Sequence, residues 1–253
     1  MTSPVVIGDC TLYSGDCLEV MPTLNPVNCI VTDPPYPVTP TSKNHFTNPG
    51  MIKSGWMMNE YPMGDGLMFE CPKFDDWLPL AFSAAAENAD AYIMSNDKNL
   101  AAMQIAATQC NWKLHNVLVW QKPTGVPNRW YFKDCEFTLY LWKGKAKTIR
   151  NPGSTQTFKA SHTKERKHPS QKPTALFQHY IENSTDLGDV VLDPFMGSGT
   201  AGVACAKLGR KFIGIETDRK HFDIACDRIG QAYIQGDLFV SAPMQPVQGA
   251  LVL

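Results

Sequence analysis

The sequence lacks several features that would direct it to a membrane or to secretion. No apolar run approaches the about 20 residues that span a bilayer, and the first residues, MTSPVVIGDC, lack the basic start and apolar core of a signal peptide. Eight cysteines lie apart, with no C-x-x-C pair and no Cys/His cluster, so neither a disulfide framework nor a zinc site is predicted. We therefore expect a cytoplasmic protein that needs no membrane and no metal.

The sequence also has little net charge, −1 over 253 residues, which alone argues against a nucleic-acid partner. The charge is unevenly distributed, however. Residues 143–172, here called the basic segment, contain nine Lys or Arg and one acid, so the segment carries +8 and the remainder −9. A basic stretch on an acidic body is a candidate electrostatic footprint for a nucleic acid.

Short apolar runs alternate with helical patterns, which is typical of an α/β protein with a mostly parallel sheet. Strands are predicted at residues 29–32, 91–95, 115–120, 136–142, 190–192 and 212–215. Helices are predicted at residues 77–88, 98–110, 174–183, 200–208 and 219–232. Hydrophobic residues make up 43% of the chain, enough for one core, so a single domain is expected.

A strand, a glycine turn and a helix start are predicted over residues 190–200, VVLDPFMGSGT. Gly197, Gly199 and Gly202 fit the G-x-G-x-x-G spacing, and Glu216 ends the next strand, where an acid meets ribose hydroxyls. Asp193 would repel a pyrophosphate but can accept a hydrogen bond from an ammonium group. S-adenosylmethionine, which has an ammonium and no phosphate, fits this pattern, although a plain tight turn is an alternative.

Residues 28–36, NCIVTDPPY, form an apolar strand that ends in an acid, two prolines and an aromatic ring. One interpretation is a rigid strand exit with a surface Tyr36. The other is chemical, because the exocyclic amino nitrogen of a base is a weak nucleophile whose lone pair is delocalised into the ring. The Asp33 carboxylate and the Pro34 carbonyl could accept its two N–H groups, and Tyr36 could stack on the base.

Both patterns resemble the catalytic and cofactor motifs of the DNA amino-methyltransferases, in the permuted order of the β class. Further segments resemble that family, namely SGDCLEV at 14–20, VWQK at 119–122, HPSQKP at 168–173 and GIE at 214–216. The resemblance implies a doubly wound α/β fold of the methyltransferase type, S-adenosylmethionine as cofactor and double-stranded DNA with a flipped base as substrate. Asp rather than Ser before Pro-Pro-Tyr implies adenine N6 as acceptor, with cytosine N4 as the alternative.

The resemblance also implies roles for individual residues. The catalytic set is Asp33, Pro34, Pro35 and Tyr36. The cofactor set is Asp16, Cys17, Lys172, Asp193, Phe195, Gly197, Ser198, Gly199, Thr200 and Glu216, with Asp16 at the adenine, Glu216 at the ribose and Lys172 at the methionine carboxylate. Local charge adds the predicted DNA contacts Lys122, Arg129, Lys145, Lys147 and Arg150.

One methyltransferase domain is expected over residues 1–239, followed by a tail at 240–253. Its catalytic half is residues 28–142, its small target-recognition region 143–167, and its cofactor half 168–235 together with 10–20. Because 143–167 is short for target recognition, residues 37–73 are expected to share that task, although their aromatic residues fit a core equally well.

A homodimer is expected from analogy alone. Two other classes of function remain open at this stage. The glycine pattern with Glu216 would also suit a dinucleotide-dependent oxidoreductase. An idle nucleic-acid-binding module could keep the same fold, but the intact Asp33-Pro-Pro-Tyr36 sequence argues against it.

Overall fold

The computed structural model describes residues 3–35, 72–126, 131–161 and 172–237. Its strands are β1 (Val5–Ile7), β2 (Cys10–Ser14), β3 (Val27–Thr32), β4 (Ala85–Ser95), β5 (Lys113–Val126), β6 (Lys133–Trp142), β7 (Thr157–Lys159), β8 (Val190–Asp193) and β9 (Lys211–Glu216). Its helices are α1 (Cys17–Val20), α2 (Phe74–Ala84), α3 (Leu100–Gln109), α4 (Thr174–Ser184), α5 (Thr200–Leu208) and α6 (Arg219–Asp237), with a 3-10 turn at Met21–Thr23.

In these residues the strands form one sheet in the order β1-β2-β9-β8-β3-β4-β6-β5-β7. Strands β2, β9, β8, β3 and β4 run parallel, whereas β6 is antiparallel to both β4 and β5. The predicted mostly parallel sheet is therefore confirmed. Because five neighbouring strands run the same way, their carboxyl ends meet at one edge, here called the carboxyl edge; the opposite one is the amino edge.

Helices cover both faces of the sheet. On one face α4, α5 and α6 bury Val31, Phe177 and Ile229 together. On the other face α1, α2 and α3 pack around Ile30 and Trp77. Consecutive residues of β3 thus enter opposite cores, as expected when successive strand side chains alternate between faces. This arrangement confirms the doubly wound α/β fold.

The predicted helix at residues 77–88 is wrong at its end, because residues 85–88 belong to β4. Ala85 pairs with Val27, and the next pair joins Asp90 to Cys29, so β4 contains an irregularity between them. Asn88 takes a positive φ of 64° there. The sequence predictions also omitted β1, β2, α1 and β7, which are too short to show a clear period.

Several predictions fall outside the described residues, namely those for Tyr36, Arg129, residues 37–71, residues 162–171 and the tail at 240–253. Within the described ranges no helix is long and apolar enough to cross a membrane. In the same ranges no group of three or more His, Cys, Asp or Glu side chains could hold a metal ion.

Candidate active site

Strands β3 and β8 bring the two predicted motifs together at the carboxyl edge. The strands are parallel neighbours, with Cys29 in register with Val191. Asp193 ends β8, and Thr32, the last residue of β3, donates a hydrogen bond to the Asp193 Oδ1 atom at 2.7 Å. Asp33 comes directly after Thr32. The predicted acceptor carboxylate and the predicted cofactor carboxylate are therefore neighbours in space.

The glycine turn between β8 and α5 needs glycine at two positions. Gly197 and Gly199 have φ angles of 51° and 76°, a region that favours glycine. A Cβ atom on Gly199 would lie 2.9 Å from the Ala225 Cβ atom, so the turn also requires close packing against α6. At Gly197 an added Cβ would meet no described atom within 4 Å. As far as the described residues go, the turn thus leaves open space in front of Gly197, where a ligand can approach the backbone.

Glu216 ends β9 next to this turn, and its carboxylate is fixed there by two backbone donors. Gly197 N donates to Oε2 at 3.0 Å, and Asp218 N donates to Oε1 at 2.8 Å. A carboxylate has about four acceptor positions, so capacity remains for a diol. The half-buried position suits the ribose contact that the sequence predicts.

Asp193 is an acid held in an unfavourable environment. Its side chain is almost fully buried, and burial raises its pKa to about 7, although hydrogen bonds from Thr32 and from Phe195 N limit the increase. The nearby carboxylates Asp33 and Glu216 add to the increase. A cation placed beside Asp193 would therefore favour its ionised form. The residue fits the ammonium of an amino-acid group.

Asp16 and Cys17 lie beside the same edge, because Gly15 N donates to the Glu216 carbonyl at 3.0 Å. Asp16 caps α1, since its Oδ1 atom accepts a hydrogen bond from Leu18 N at 2.9 Å. The Cys17 side chain is buried in the core, and burial raises its pKa to about 12. Any cofactor contact by Cys17 would consequently come from its backbone.

Asp33 is the end of a chain of alternating charges, here called the charge network. Its Oδ2 atom lies 2.5 Å from the Lys172 Nζ atom. Lys172 Nζ also lies 3.2 Å from Glu136 Oε2, and Glu136 Oε1 lies 2.5 Å from the Lys122 Nζ atom. The Asp33 Oδ1 atom is buried and has no hydrogen-bond partner among the described residues.

The environment of the charge network acts differently on its two acids. Burial raises the pKa of Asp33, and the Lys172 ammonium opposes this increase. Burial also acts to raise the pKa of Glu136, but Lys172 and Lys122 together hold it below its usual value. Glu136 is thus the firmly ionised member, and the ionisation of Asp33 depends on Lys172.

A hairpin of β5 and β6 overhangs the carboxyl edge. Ser95, the last residue of β4, pairs with Phe137, so β6 begins four residues beyond that edge at Lys133. Near the tip, Tyr131 is 90% exposed and Phe132 is 65% exposed. Lys122, a predicted DNA contact on this hairpin, is instead only 11% exposed and engaged with Glu136.

Lys145, Lys147 and Arg150 of the basic segment lie at the amino edge, whereas Lys172, its last residue, lies at the carboxyl edge beside Asp33. Arg150 donates to the carbonyls of Glu182 and Thr185 at 3.2 and 3.1 Å, and it also pairs with Asp186. Lys147 Nζ lies 3.5 Å from the Ser184 carbonyl. Both side chains therefore bind the end of α4. Lys145 is exposed. The DNA contacts of these three residues stay predictions, and their position gives Lys147 and Arg150 a structural role.

Sequence reasoning did not identify Arg228 as a site residue. Its Nη1 atom donates to Ser198 Oγ at 2.8 Å and contacts the Ser198 carbonyl, and it lies 3.4 Å from Thr200 Oγ1. Arg228 thus holds the glycine turn from α6. Its place in the sequence gave a weak signal, because it lies between Ala225 and Ile229, which form the buried face of that helix.

The chain is similar to known DNA methylases. The profile of the N6/N4 DNA methylase family matches residues 27–227. The type II methyltransferase M2.DpnII of Streptococcus pneumoniae is 30% identical over 245 residues, covering 86% of this chain and 88% of that protein. The type II methyltransferase M2.LlaDCHI of Lactococcus lactis subsp. cremoris is 27% identical, covering 89% and 91%.

Solved structures are also similar. The complex of M1.HpyAVI with SAM has a TM-score of 0.66 and 27% identity, covering 87% of this chain and 99% of that one. The cytosine-N4-specific PvuII DNA methyltransferase has a TM-score of 0.68, with 91% and 93% covered, but only 14% identity, so that likeness concerns the fold alone.

Proposed function

Since this chain belongs to the N6/N4 DNA methylase family, we propose that it transfers a methyl group from S-adenosylmethionine to adenine N6 in DNA. One observation carries the proposal. Asp33 lies where β3 ends, beside the cofactor strand β8, and presents a buried oxygen that has no partner among the described residues. An amino group that receives the methyl group has two N–H donors, which suit this oxygen and the adjacent Pro34 carbonyl.

The residues at the carboxyl edge fit S-adenosylmethionine, the cofactor of this family. Asp193 provides a buried carboxylate for the ammonium, and Glu216 provides acceptors for the ribose diol. The open space at Gly197 allows close approach of the methionine part, and Asp16, which follows Gly15 beside Glu216, is proposed to contact the adenine. When bound, the cofactor supplies an electrophilic methyl group on a sulfonium.

The chain's own groups prepare the acceptor. Asp33 and the Pro34 carbonyl accept the two N–H groups of the amino nitrogen, which makes its lone pair available. Pro34 and Pro35 fix the backbone dihedral φ, so the carbonyl keeps its direction. Asp33 or solvent would take the excess proton from the nitrogen once it carries the methyl group. Most of the acceleration comes from this positioning.

The substrate is proposed to be double-stranded DNA with the target base flipped into the edge, where Tyr36 would stack on it. We propose that the exposed Tyr131 and Phe132 on the overhanging hairpin meet the DNA. The sequence-based DNA contacts of Arg129 and Lys145 are kept as part of the proposal. The type II methyltransferases among the relatives support a role in restriction-modification. The single-domain division, a homodimer and a cytoplasmic location remain proposals that follow from the same family.

A nucleoside analysis tests the proposal. Unmethylated genomic DNA would be incubated with the protein and tritiated S-adenosylmethionine, digested to nucleosides and separated by chromatography with mass detection. Label in N6-methyladenine is the expected result. Label in N4-methylcytosine would support the alternative acceptor, and absence of label in DNA would refute both. Asp33→Ala serves as the control for a contaminating enzyme, because it should lose the label.

A further inference from the structure

We propose that Lys172 is a positioning residue for Asp33, held in place by Glu136 and Lys122, and that it keeps the acceptor carboxylate ionised and oriented. The inference rests on the proposed function, because it concerns how Asp33 meets the amino group. It gives Lys172 a task different from the methionine carboxylate that the family resemblance implied.

The distances support a single connected unit. Lys172 Nζ lies 2.5 Å from Asp33 and 3.2 Å from Glu136, and its side chain is only 7% exposed. An ammonium that is so little solvated interacts strongly with the acids that face it. Because Lys172 binds Asp33 Oδ2, the other oxygen, Oδ1, is left to face the acceptor.

Lys172 is anchored from the hairpin. Glu136 lies on β6 and Lys122 on β5, and Trp120, two residues before Lys122, is in register with Glu136. The Lys122 side chain is 11% exposed and that of Glu136 24% exposed, so solvent screens this pair only in part. Glu136 gives the Lys172 ammonium a second carboxylate besides that of Asp33. The hairpin that overhangs the edge therefore contributes to the acceptor site at its base.

Among the residues that the structure describes, the charged groups facing Asp33 are Lys172, Glu136 and Lys122, and Asp193 lies next to it on β8. The signs of the charges alternate along the network. Removing successive members should therefore shift the pKa of Asp33 in opposite directions. Loss of Lys172 or Lys122 makes ionisation harder, and loss of Glu136 makes it easier. A residue with a purely structural role would not produce this alternation.

The experiment measures single-turnover methyl transfer to genomic DNA between pH 5 and 9 for four variants. Activity requires ionised Asp33, so the rate falls on the acid side as pH drops through its pKa. Lys172→Met should move the midpoint of this acid limb upward by about 1–3 pH units, and Lys122→Met should move it less in the same direction. Glu136→Gln should move it downward, and Lys172→Arg, which retains the charge, should stay near the parent value.

Binding of S-adenosylhomocysteine by calorimetry separates the two roles of Lys172. An unchanged affinity in Lys172→Met, with a displaced acid limb, supports the positioning role. A large loss of affinity with an unmoved acid limb would overturn it and favour a cofactor contact. The exposed Lys207→Met variant is the control for charge alone.

Folding and the proposed function are checked separately. If Lys172→Met does not fold, as judged by circular dichroism, the Glu136→Gln profile decides, and an upward or absent shift there would refute the inference. If the parent protein transfers no methyl group to DNA, the proposed function itself fails. If the parent is active and the variants keep its pH profile, only the inference fails.

Discussion

The two edges of the sheet each contain an aspartate beside a lysine. At the carboxyl edge Lys172 Nζ lies 2.5 Å from Asp33, and at the amino edge Lys147 Nζ lies 3.9 Å from Asp90. Both aspartates have a buried Oδ1 atom with no partner among the described residues, and burial raises the pKa of both. Both also lie on the face of the sheet that α4 covers. Asp90 pairs with Cys29, which is in that core, and Asp33 is two residues after Val31, which is in the same core.

The difference lies in the surroundings. Asp90 is closed in by stacked rings, with Tyr92 packed between Tyr140 and Tyr180 at centroid distances of 4.6 Å. Asp33 instead follows a strand end, beside the turn that leaves open space for a ligand. A buried carboxylate with an unsatisfied oxygen is therefore not sufficient to mark a catalytic residue. Its position at the carboxyl edge, where loops and neighbouring strands converge, makes the distinction.

Substituting the two aspartates one at a time should give the largest difference in methyl-transfer rate. Asp33→Ala should reduce methyl transfer at least about 100-fold, as expected for loss of a group that acts on the reacting amine. Asp90→Asn should leave the transfer rate within about twofold, because the stacked rings separate it from the acceptor. The test is a single-turnover assay with tritiated cofactor. Similar losses in both variants would mean that the edges do not differ in function.

Glu216 provides the next largest effect, this time on binding. Glu216→Ala should weaken S-adenosylhomocysteine binding by about 1.5–3 kcal/mol, because a charged acceptor for the ribose diol is removed. Calorimetry at fixed pH measures this change. The matched variant Glu182→Ala, near the amino edge, should bind as the parent does. An unchanged affinity in Glu216→Ala would contradict the ribose assignment.

Cofactor affinity should also depend on pH through Asp193. Because burial raises its pKa to about 7, the group is mostly protonated below that value and mostly ionised above it. The ionised form binds an ammonium, so affinity should increase as pH rises from 6 to 8, by up to about tenfold for a shift of this kind. Asp193→Asn should show weak binding with little pH dependence. A parent affinity that is flat over this interval would refute the ammonium contact.

The same shift has a consequence for stability without cofactor. Between the usual pKa of 3.8 and about 7, the folded protein binds a proton at Asp193 that the unfolded chain has lost. The contribution of Asp193 to the free energy of unfolding is therefore present at low pH and is lost as the pH rises to 7. Asp193→Asn should reduce that loss, which thermal unfolding of the apo protein at pH 5.5 and 7.5 can measure.

The smallest effect is expected from the basic segment. The salt dependence of DNA binding is measured as the slope of log affinity against log salt concentration. Changing Lys145, Lys147 and Arg150 together to Gln would make this slope less steep by about 3 if all three met phosphates. Because Lys147 and Arg150 bind the end of α4, we expect a change of about 1 or less, together with a lower melting temperature. Filter binding between 50 and 200 mM salt gives the slope. A change of about 3 in the slope, with an unaltered melting temperature, would support DNA contacts by all three residues.

Much of the cofactor half could be predicted from sequence because its signals are local. The apolar run before Asp193, the glycine spacing and the pattern of α5 all lie within about 20 residues, and α5 begins and ends as predicted, at Thr200 and Leu208. The position of Asp33 and Pro34 directly after a strand could also be predicted, because the acid follows an apolar run. These features need no knowledge of distant parts of the chain.

The parts that were not predicted depend on contacts between distant residues. Asp90 lies in the middle of a strand, and no pattern around it indicates a buried acid. Lys147 and Arg150 form part of a basic run, but their partners on α4 lie more than 30 positions away. The pairing of Lys172 with Asp33 spans 139 positions. Charge counted along the sequence therefore could not separate a DNA contact from an internal ion pair.

The hydrogen bond from Thr32 to Asp193 has a consequence for how the chain acquires its structure. It joins residues 161 positions apart, across a central strand pair that exists only when β3 and β8 are both present. During synthesis β3 emerges long before β8, so one of its edges stays unpaired and exposed to other chains until the last third of the sequence is made. Loop-closure entropy also makes this pairing a slow step. Folding yield should accordingly be more sensitive to changes in β8 than to comparable changes in the edge strand β1.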